Sequence, residues 1–389
     1  MAVATSNRRE YRRLNPRTDP LAPWWHVDIV VVLAAMAIAA LGIAVIYSAT
    51  RGADPESFDT FFLQRQTLFV VLGVGLMVGA AAFDYRHLRP LAPVVYGGSV
   101  LLLLAVLSPL GVERNQAQSW FEFGSLQLQP SEFAKLGLII GLAAFLSRYG
   151  GRLTFGQTLG ALGLAGVPLM LILGQPDVGT VLVMSSITAG MLIVAGIRIR
   201  DLLLLTTTGA LGVASLLGSS LLAEYQRDRL LVFIDPDGAS EAARYNLEQA
   251  QIAIGNGGLW GQGYGQGSQT RGGLVPEQQT DFIFTVVGEE LGFVGAAVLL
   301  GLFALLLWRL YRTARIAGDL FGSLLAVGVF TMVLFQLFQA AGMTMGIMPV
   351  TGIPLPLVSY GGSSALTTLL SIGIVVSVHM RRYGVAATH

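Results

Sequence analysis

Long apolar stretches recur along this chain of 389 residues. An α-helix needs roughly 20 mostly apolar residues to cross a lipid bilayer. The stretches of that kind lie near 27–48, 62–83, 91–110, 131–147, 156–174, 178–196, 202–222, 282–308, 319–345 and 357–380. Because they do not alternate apolar and polar residues as barrel strands do, the pattern predicts an all-α integral membrane fold. We expect a polytopic bundle of ten transmembrane helices with one large extracytoplasmic loop.

The longest polar interval, 223–280, separates the seventh apolar segment from the eighth. Glu241 to Ile254 within it reads as an interfacial amphipathic helix. A glycine-rich run from Gly255 to Gly273 follows, and it predicts a mobile loop that carries Asp281 to the membrane boundary. The predicted division of the chain is an N-terminal basic arm over 1–26, a single transmembrane domain over 27–382 and a C-terminal tail over 383–389.

Composition supports a membrane protein and excludes several other classes. Charged residues make up 12% of the chain, against about 25% in soluble domains, and the mean hydropathy is +0.66. A net charge of +1 gives no bulk attraction to nucleic acid. The absence of cysteine excludes disulfides, iron–sulfur clusters and thiolate zinc sites, and the four histidines are too scattered to form a His-rich metal site.

The basic residues predict the orientation of the bundle. About two thirds of the 24 basic residues lie before the first apolar segment, after the last one, or in the loops on that same side. We therefore expect both termini to be cytoplasmic. The loop over 223–280, and with it Asp281, is then extracytoplasmic. The first segment is too long for a signal-peptide core, which favours a retained span.

Charged residues inside predicted spans point to chemistry or to pairing, because each costs about 2.5–3.5 kcal/mol at a helix centre. Glu132 and Lys135 share one helix face. They either neutralise each other as an internal ion pair, or Lys135 offers positive charge to an anionic substrate with Glu132 orienting it. Asp177 either caps the sixth span or presents a carboxylate to a cavity.

Asp281 also has two interpretations. It or Thr280 can cap the eighth span, or its carboxylate can act as a general base at the membrane boundary. Glu289 and Glu290 follow two turns later, and buried glutamates on this helix favour a functional role. The glycines and prolines between Gly346 and Ser364 predict non-helical backbone beside the last span. That segment either lines the same cavity as Asp281 or is a structural re-entrant turn.

Four motifs in order resemble the SEDS family (shape, elongation, division and sporulation). They are QPSEFAK at 129–135, QPDVGT at 175–180, PEQQTDFIF at 276–284 with GEELG at 288–292, and PLP at 354–356 with SYGGSS at 359–364. The resemblance runs from about Asp28 to Arg382. The stretch from Pro349 to Pro354, together with Tyr245 and the region from Gln249 to Gly258, is more similar to RodA, the elongation branch, than to FtsW, the division branch.

The resemblance implies an enzyme of the bacterial cytoplasmic membrane. Members are peptidoglycan glycosyltransferases that polymerise lipid II outside that membrane by inverting transfer from an undecaprenyl-pyrophosphate donor, paired with a class B penicillin-binding protein. It makes Asp281 the catalytic residue and leaves room for a divalent cation, Mg²⁺ or Mn²⁺, with no organic cofactor and no assigned metal ligands. The expected substrate-binding residues are Lys135, Glu132, Asp177, Trp120, Glu289, Glu290, Ser359, Tyr360, Gly361, Gly362 and Ser363.

Two positions depart from the family pattern. Ser119 stands where many members have an arginine, and Ala340 stands where an asparagine is usual. One cationic contact and one polar contact are therefore in doubt. The alternatives to elongation-type polymerisation are a lipid II flippase, an FtsW-like division polymerase and a scaffold for the elongation complex.

Overall fold

The computed structural model describes residues 23–51, 60–114, 117–124, 126–217, 233, 238 and 240–383. Most of the predicted N-terminal arm, the tail beyond residue 383 and the first part of the large loop lie outside these ranges. The helices are α1 (Ile29–Ala49), α2 (Phe61–Ala82), α3 (Leu88–Val106), α4 (Pro130–Leu146), α5 (Phe155–Leu173), α6 (Val178–Val194), α7 (Ile199–Leu217), α8 (Glu241–Gly257), α9 (Ser268–Gly272), α10 (Ile283–Ile316), α11 (Leu320–Thr344) and α12 (Gly362–Met380). Short 3₁₀ helices cover Pro23–His26 and Tyr85–His87.

Each predicted apolar segment corresponds to one of the long helices. In the described part of the chain, seven helical stretches are long and apolar enough to cross a membrane: α1, α2, α3 with its preceding turn, α5, α10, α11 and α12. α6 is a shorter apolar helix of 17 residues, and α4 has the same length and carries Glu132 and Lys135. The polytopic helical class is confirmed, and the count of ten spans stays a prediction.

α4 and α12 form the centre of the bundle. Nearly every residue of both helices is buried, including polar side chains such as Glu132, Lys135 and Ser371. α12 packs along α2, α4 packs on α3, and α10 lies between α1 and α11. The close approach of α12 to α2 requires Gly373, since a Cβ there would meet the backbone of Met77. The core therefore surrounds two of the four helices whose N-terminal ends carry the quoted motifs.

A small antiparallel sheet between α3 and α4 corrects the purely helical expectation. Its strands are β1 (Val112–Arg114), β2 (Ala117–Phe123) and β3 (Leu126–Leu128), in the order β1-β2-β3. Phe121 pairs with Leu128, and the register shifts beside Val112. β1 and β3 have three residues each, too few to show the alternation of apolar and polar residues that predicts a strand. The sheet carries Trp120 toward the start of α4.

α10 is kinked at Gly292, and the glycine-rich loop fits the kink. Gly292 has φ 65°, so the helical bonds from residues 293 and 294 back to 289 and 290 are broken. The loop replaces them: Gln262 N and Gly263 N donate to the carbonyls of Glu289 and Glu290 at 2.9 and 3.1 Å, and Phe293 N and Val294 N donate to Gly258 O and Leu259 O at 2.9 and 3.1 Å. Backbone groups at membrane depth need such partners.

Glycines on both sides permit this close contact. A Cβ at Gly261 or Gly257 would meet the backbone of α10 near residues 288–290, and one at Gly292 would lie 2.8 Å from Leu259 O. α8 is the predicted amphipathic helix, and it packs on α10. These contacts favour a fixed loop over the mobile loop that the glycine content predicts.

Candidate active site

A cavity of about 150 Å³ brings most of the predicted site residues together. It lies where the starts of α4 and α6, strand β2, the turn before α10 and the non-helical segment before α12 meet. Its lining consists of Trp120, Gln129, Glu132, Lys135, Asp177, Thr180, Val183, Thr280, Asp281, Gly352, Ile353, Pro354, Tyr360, Gly361, Ser363 and Ser364. Small-molecule sites usually measure about 300–1,000 Å³, so this cavity accommodates a reacting centre and not a whole lipid-linked sugar.

Glu132 and Lys135 form a buried ion pair in the cavity wall. Lys135 Nζ lies 2.7 Å from Glu132 Oε1, and the two side chains are 2% and 4% exposed. Thr367 Oγ1 on α12 donates to Glu132 Oε2 at 3.2 Å. The structure is compatible with both interpretations of the pair, because the two charges neutralise each other and both residues line the cavity.

Asp177 likewise combines the two interpretations given for it. Its carboxylate caps α6, accepting from Thr180 N at 2.9 Å and from Thr180 Oγ1 at 2.7 Å. Both residues also line the cavity. The cap fixes the orientation of the carboxylate at the start of a helix, where negative charge is favoured.

Asp281 lies in the turn before α10 and is not its cap residue. The N-cap position is Phe282, with no side-chain hydrogen bond at the helix start. The backbone around Asp281 is fixed by neighbours on other elements: Tyr360 N donates to Gln279 O at 2.9 Å, and Gln278 Nε2 donates to Ala49 O at 2.8 Å. Asp281 precedes the N-cap position by one residue, and its carboxylate lines the cavity.

The segment before α12 is packed against protein, as non-helical backbone at membrane depth must be. Leu355, Leu357 and Val358 are buried. The amide of Gln66 on α2 holds the next turn at two points, donating to Ser359 O at 3.3 Å and accepting from Gly361 N at 3.2 Å. The segment is thus both a structural turn and a cavity wall.

Some predicted site residues lie outside the cavity lining. Ser359 Oγ accepts from Leu355 N at 2.9 Å within its own turn, and Gly362 packs against the ring of Phe69. Glu289 and Glu290 turn toward the loop. Glu290 accepts from Ser48 Oγ at 2.7 Å, and Glu289 accepts from residues 268–270.

Tyr264 ties the same loop to α1. Its hydroxyl donates to Ala44 O at 2.6 Å, and its ring stacks on Tyr47. Burial raises the pKa of Tyr264, and the nearby Glu290 carboxylate raises it further. The phenol therefore stays protonated as a donor over the physiological range.

Sequence reasoning missed several residues at the site. Gln66 has no local motif, and its role appears only because α2 packs beside α12. Thr180, Ser363 and Ser364 lie inside the quoted motifs and line the cavity. The sequence predicts a role for Ser363 and none for Thr180 or Ser364. The two departures are both buried: Ser119 Oγ donates to Gln175 O at 3.5 Å, and Ala340 follows Gln339, whose amide donates to Pro349 O at 2.7 Å.

The motifs that line the cavity match a known family over nearly the whole chain. A family model for FtsW, RodA and SpoVE, described as "Cell cycle protein", matches residues 28–384. The chain belongs to this family. It is the SEDS family that the sequence motifs resemble.

Relatives from several branches of the SEDS family are similarly close. The stage V sporulation protein E of Bacillus subtilis is 37% identical over 90% of this chain and 96% of its own length. A probable peptidoglycan glycosyltransferase FtsW of Geobacter metallireducens is 36% identical over 92% and 96%. The peptidoglycan glycosyltransferase MrdB of Escherichia coli is 34% identical over 95% and 97%. These identities do not separate the RodA branch from the FtsW branch.

Solved structures of SEDS proteins share this fold. One, described as "Structural coordination of polymerization and crosslinking by a peptidoglycan synthase complex", aligns with a TM-score of 0.79 at 36% identity, covering 92% of this chain and 99% of the other. The rod shape determining protein RodA of Thermus thermophilus aligns with a TM-score of 0.69 at 34% identity, with the same coverage.

Proposed function

We propose that this chain is a peptidoglycan glycosyltransferase that polymerises lipid II into glycan strands on the outer face of the bacterial cytoplasmic membrane. The observation that carries the proposal is the position of Asp281 in one cavity with the Glu132–Lys135 pair and Asp177. The relatives support it, since several are named as peptidoglycan glycosyltransferases.

In this proposal Asp281 is the general base. Its carboxylate takes the proton from the 4-hydroxyl of the N-acetylglucosamine on an incoming lipid II. The freed oxygen forms a bond to the anomeric carbon of the N-acetylmuramic acid on the growing chain. The bond from that carbon to the undecaprenyl pyrophosphate breaks, and the pyrophosphate leaves with the electron pair, so the anomeric configuration inverts.

Lys135 is proposed to stabilise the charge that develops on the leaving group. An ammonium has three donors, and Glu132 accepts from one of them at 2.7 Å. A preorganised cation in a water-poor cavity acts more strongly than in solvent and needs no reorganisation during the reaction. Glu132 orients Lys135 through this contact.

The described residues do not form a metal site of their own. No group of three or more His, Asp or Glu in the described ranges is arranged to hold an ion. Glu132 is engaged by Lys135, and Asp177 by Thr180. A role for a divalent cation, Mg²⁺ or Mn²⁺, stays a prediction.

The elongation role and the partner are also proposals. The RodA-like motifs support a role in elongation and shape maintenance. A relative was solved within a synthase complex that coordinates polymerization and crosslinking, which supports pairing with a class B penicillin-binding protein. Co-purification of this chain with the elongation transpeptidase, and not with the division transpeptidase, is the expected result.

Polymer formation in detergent tests the proposed function against the flippase. Purified chain incubated with lipid II in micelles should yield glycan strands that a gel resolves by length. Micelles have no two leaflets, so a flippase has no transport to perform there and forms no product. Unchanged lipid II with well-folded protein, in the presence and absence of the transpeptidase, would overturn the proposal.

A further inference from the structure

Glu289 is fully buried near the start of α10, and its carboxylate is saturated by the loop that precedes the helix. Oε1 accepts from Gln269 N at 2.7 Å and Ser268 Oγ at 3.2 Å. Oε2 accepts from Thr270 N at 2.9 Å and Thr270 Oγ1 at 2.7 Å. A carboxylate offers about four lone-pair positions, so a substrate hydroxyl would have to displace one of these donors.

The loop is shaped to receive this carboxylate. A Cβ on Gly267 would lie 2.6 Å from Glu289 Oε2, so a side chain at that position would push the two apart. Thr270 is itself buried. The negative charge is therefore held by two backbone N–H groups and two hydroxyls, in the way that buried carboxylates are stabilised without a cation.

A short series of hydrogen bonds leads from Glu289 to Asp281. Thr270 O accepts from Gln278 Nε2 at 3.0 Å, and the same nitrogen donates to Ala49 O on α1 at 2.8 Å. The next residue, Gln279, accepts from Tyr360 N in the cavity wall at 2.9 Å. Asp281 follows two residues after Gln279, so the hydrogen bonds of Gln278 and Gln279 constrain the position of its backbone.

We infer that Glu289 is a positioning residue for Asp281 and not a ligand of the substrate. Its carboxylate fixes residues 268–270, Thr270 fixes Gln278, and Gln278 with Gln279 sets where the Asp281 carboxylate enters the cavity. This inference rests on the proposed role of Asp281 as general base. It replaces the substrate-binding role that the sequence motif predicts for Glu289.

Steady-state kinetics of Glu289→Gln separate positioning from binding. The amide removes the charge and turns one acceptor into a donor that faces the donors of residues 268–270. A base displaced by about 1 Å costs about 10²-fold in rate, so we expect kcat for lipid II polymerisation to fall by about that factor. KM should stay near the wild-type value, because uniform substrate binding is not touched. A raised KM with unchanged kcat would overturn the inference and assign Glu289 to substrate binding.

A milder variant with a matched control covers the case in which Glu289→Gln fails to fold. Thr270→Val removes one hydroxyl donor to Glu289. Thr188→Val is the control: among the contacts of the described residues, the buried Thr188 hydroxyl bonds only the carbonyl of Met184 in its own helix. Thr270→Val should lower kcat in the same direction as Glu289→Gln and by less. Thr188→Val should leave kcat unchanged, and an equal loss in both would overturn the inference.

Hydrogen exchange measures the effect of Glu289 on residues 268–282 without requiring enzymatic turnover. Loss of the Glu289 contacts should accelerate exchange of backbone amides over 268–282 in Glu289→Gln, while exchange in α10 beyond Gly292 stays unchanged. Unchanged exchange there would overturn the positioning role whether or not the protein polymerises lipid II. A wild-type protein without polymerase activity would overturn the proposed function alone.

Discussion

Lys135 shows how a single buried charge can serve both stability and chemistry. The ammonium is 2% exposed and lies 2.7 Å from Glu132. Alone, either charge would cost several kcal/mol to bury. The spacing of three residues predicts their contact, because positions i and i+3 share a helix face. The third partner, Thr367, is 235 residues away along the chain, so only the packing of α12 on α4 reveals it.

Removing Lys135 and removing the pair should have different effects on stability and similar effects on activity. Lys135→Met leaves Glu132 buried and unpaired, which should lower the free energy of unfolding by about 3–5 kcal/mol. Lys135→Met with Glu132→Gln leaves no buried charge and should recover most of that loss. If Lys135 stabilises the leaving group, the double variant should still polymerise lipid II about 10²-fold more slowly than wild type.

Thermal unfolding and initial polymerisation rates of the same preparations check this prediction. The double variant serves as the control for folding, since it keeps the volume of both side chains nearly unchanged. A double variant that is stable and polymerises at the wild-type rate would make the pair purely structural.

The kink of α10 is held by the glycine-rich loop that precedes the turn carrying Asp281. Apolar periodicity predicts a helix over 282–308, and the structure has one from Ile283 to Ile316. The break at Gly292 and the strap from Gly258 to Gly263 were not predictable from local pattern. They depend on four backbone hydrogen bonds between segments about 30 residues apart. Glycine content alone does not show these bonds, and it therefore predicts a mobile loop.

Gly292→Ala tests the element directly, with Gly301→Ala as a matched control on the same helix. Alanine at φ 65° and ψ −165°, a backbone region essentially restricted to glycine, carries about 1–3 kcal/mol of strain, and its Cβ would also meet the strap. We expect a lower free energy of unfolding and faster hydrogen exchange over 258–263. A Cβ at Gly301 has nothing within 4 Å, so that change should stabilise the helix by about 0.4–1 kcal/mol. Equal stability of the two variants would argue against the strap.

At the scale of the whole molecule, the bundle places four motifs far apart in sequence around one cavity. The sequence motifs identify the family, and the apolar pattern locates every long helix. The cavity itself follows from packing: the starts of α4 and α6, the turn before α10 and the segment before α12 meet at one end of the bundle. Which side of the membrane that end faces rests on the count of basic residues and stays a prediction.

Cysteine labelling decides the orientation, because the chain contains no cysteine of its own. Arg271 lies in the loop near Asp281, Arg315 lies at the opposite end of α10, and both residues are exposed. Each is replaced by cysteine in a separate variant, Arg271→Cys and Arg315→Cys. In intact spheroplasts, a membrane-impermeant maleimide should label Arg271→Cys and should label Arg315→Cys only after permeabilisation. The reverse pattern would place Asp281 on the cytoplasmic side, where polymerisation outside the membrane is impossible.

The most direct test of the central claim is the polymerisation of lipid II by Asp281→Asn. The change removes the basic carboxylate and keeps the size of the side chain, one residue before the N-cap position of α10. Glu277→Gln is the matched control, since it makes the same chemical change four residues earlier at an exposed position outside the cavity lining. We expect no polymer from Asp281→Asn with an unchanged melting temperature, and normal polymer from Glu277→Gln. Wild-type polymerisation by Asp281→Asn would contradict this expectation.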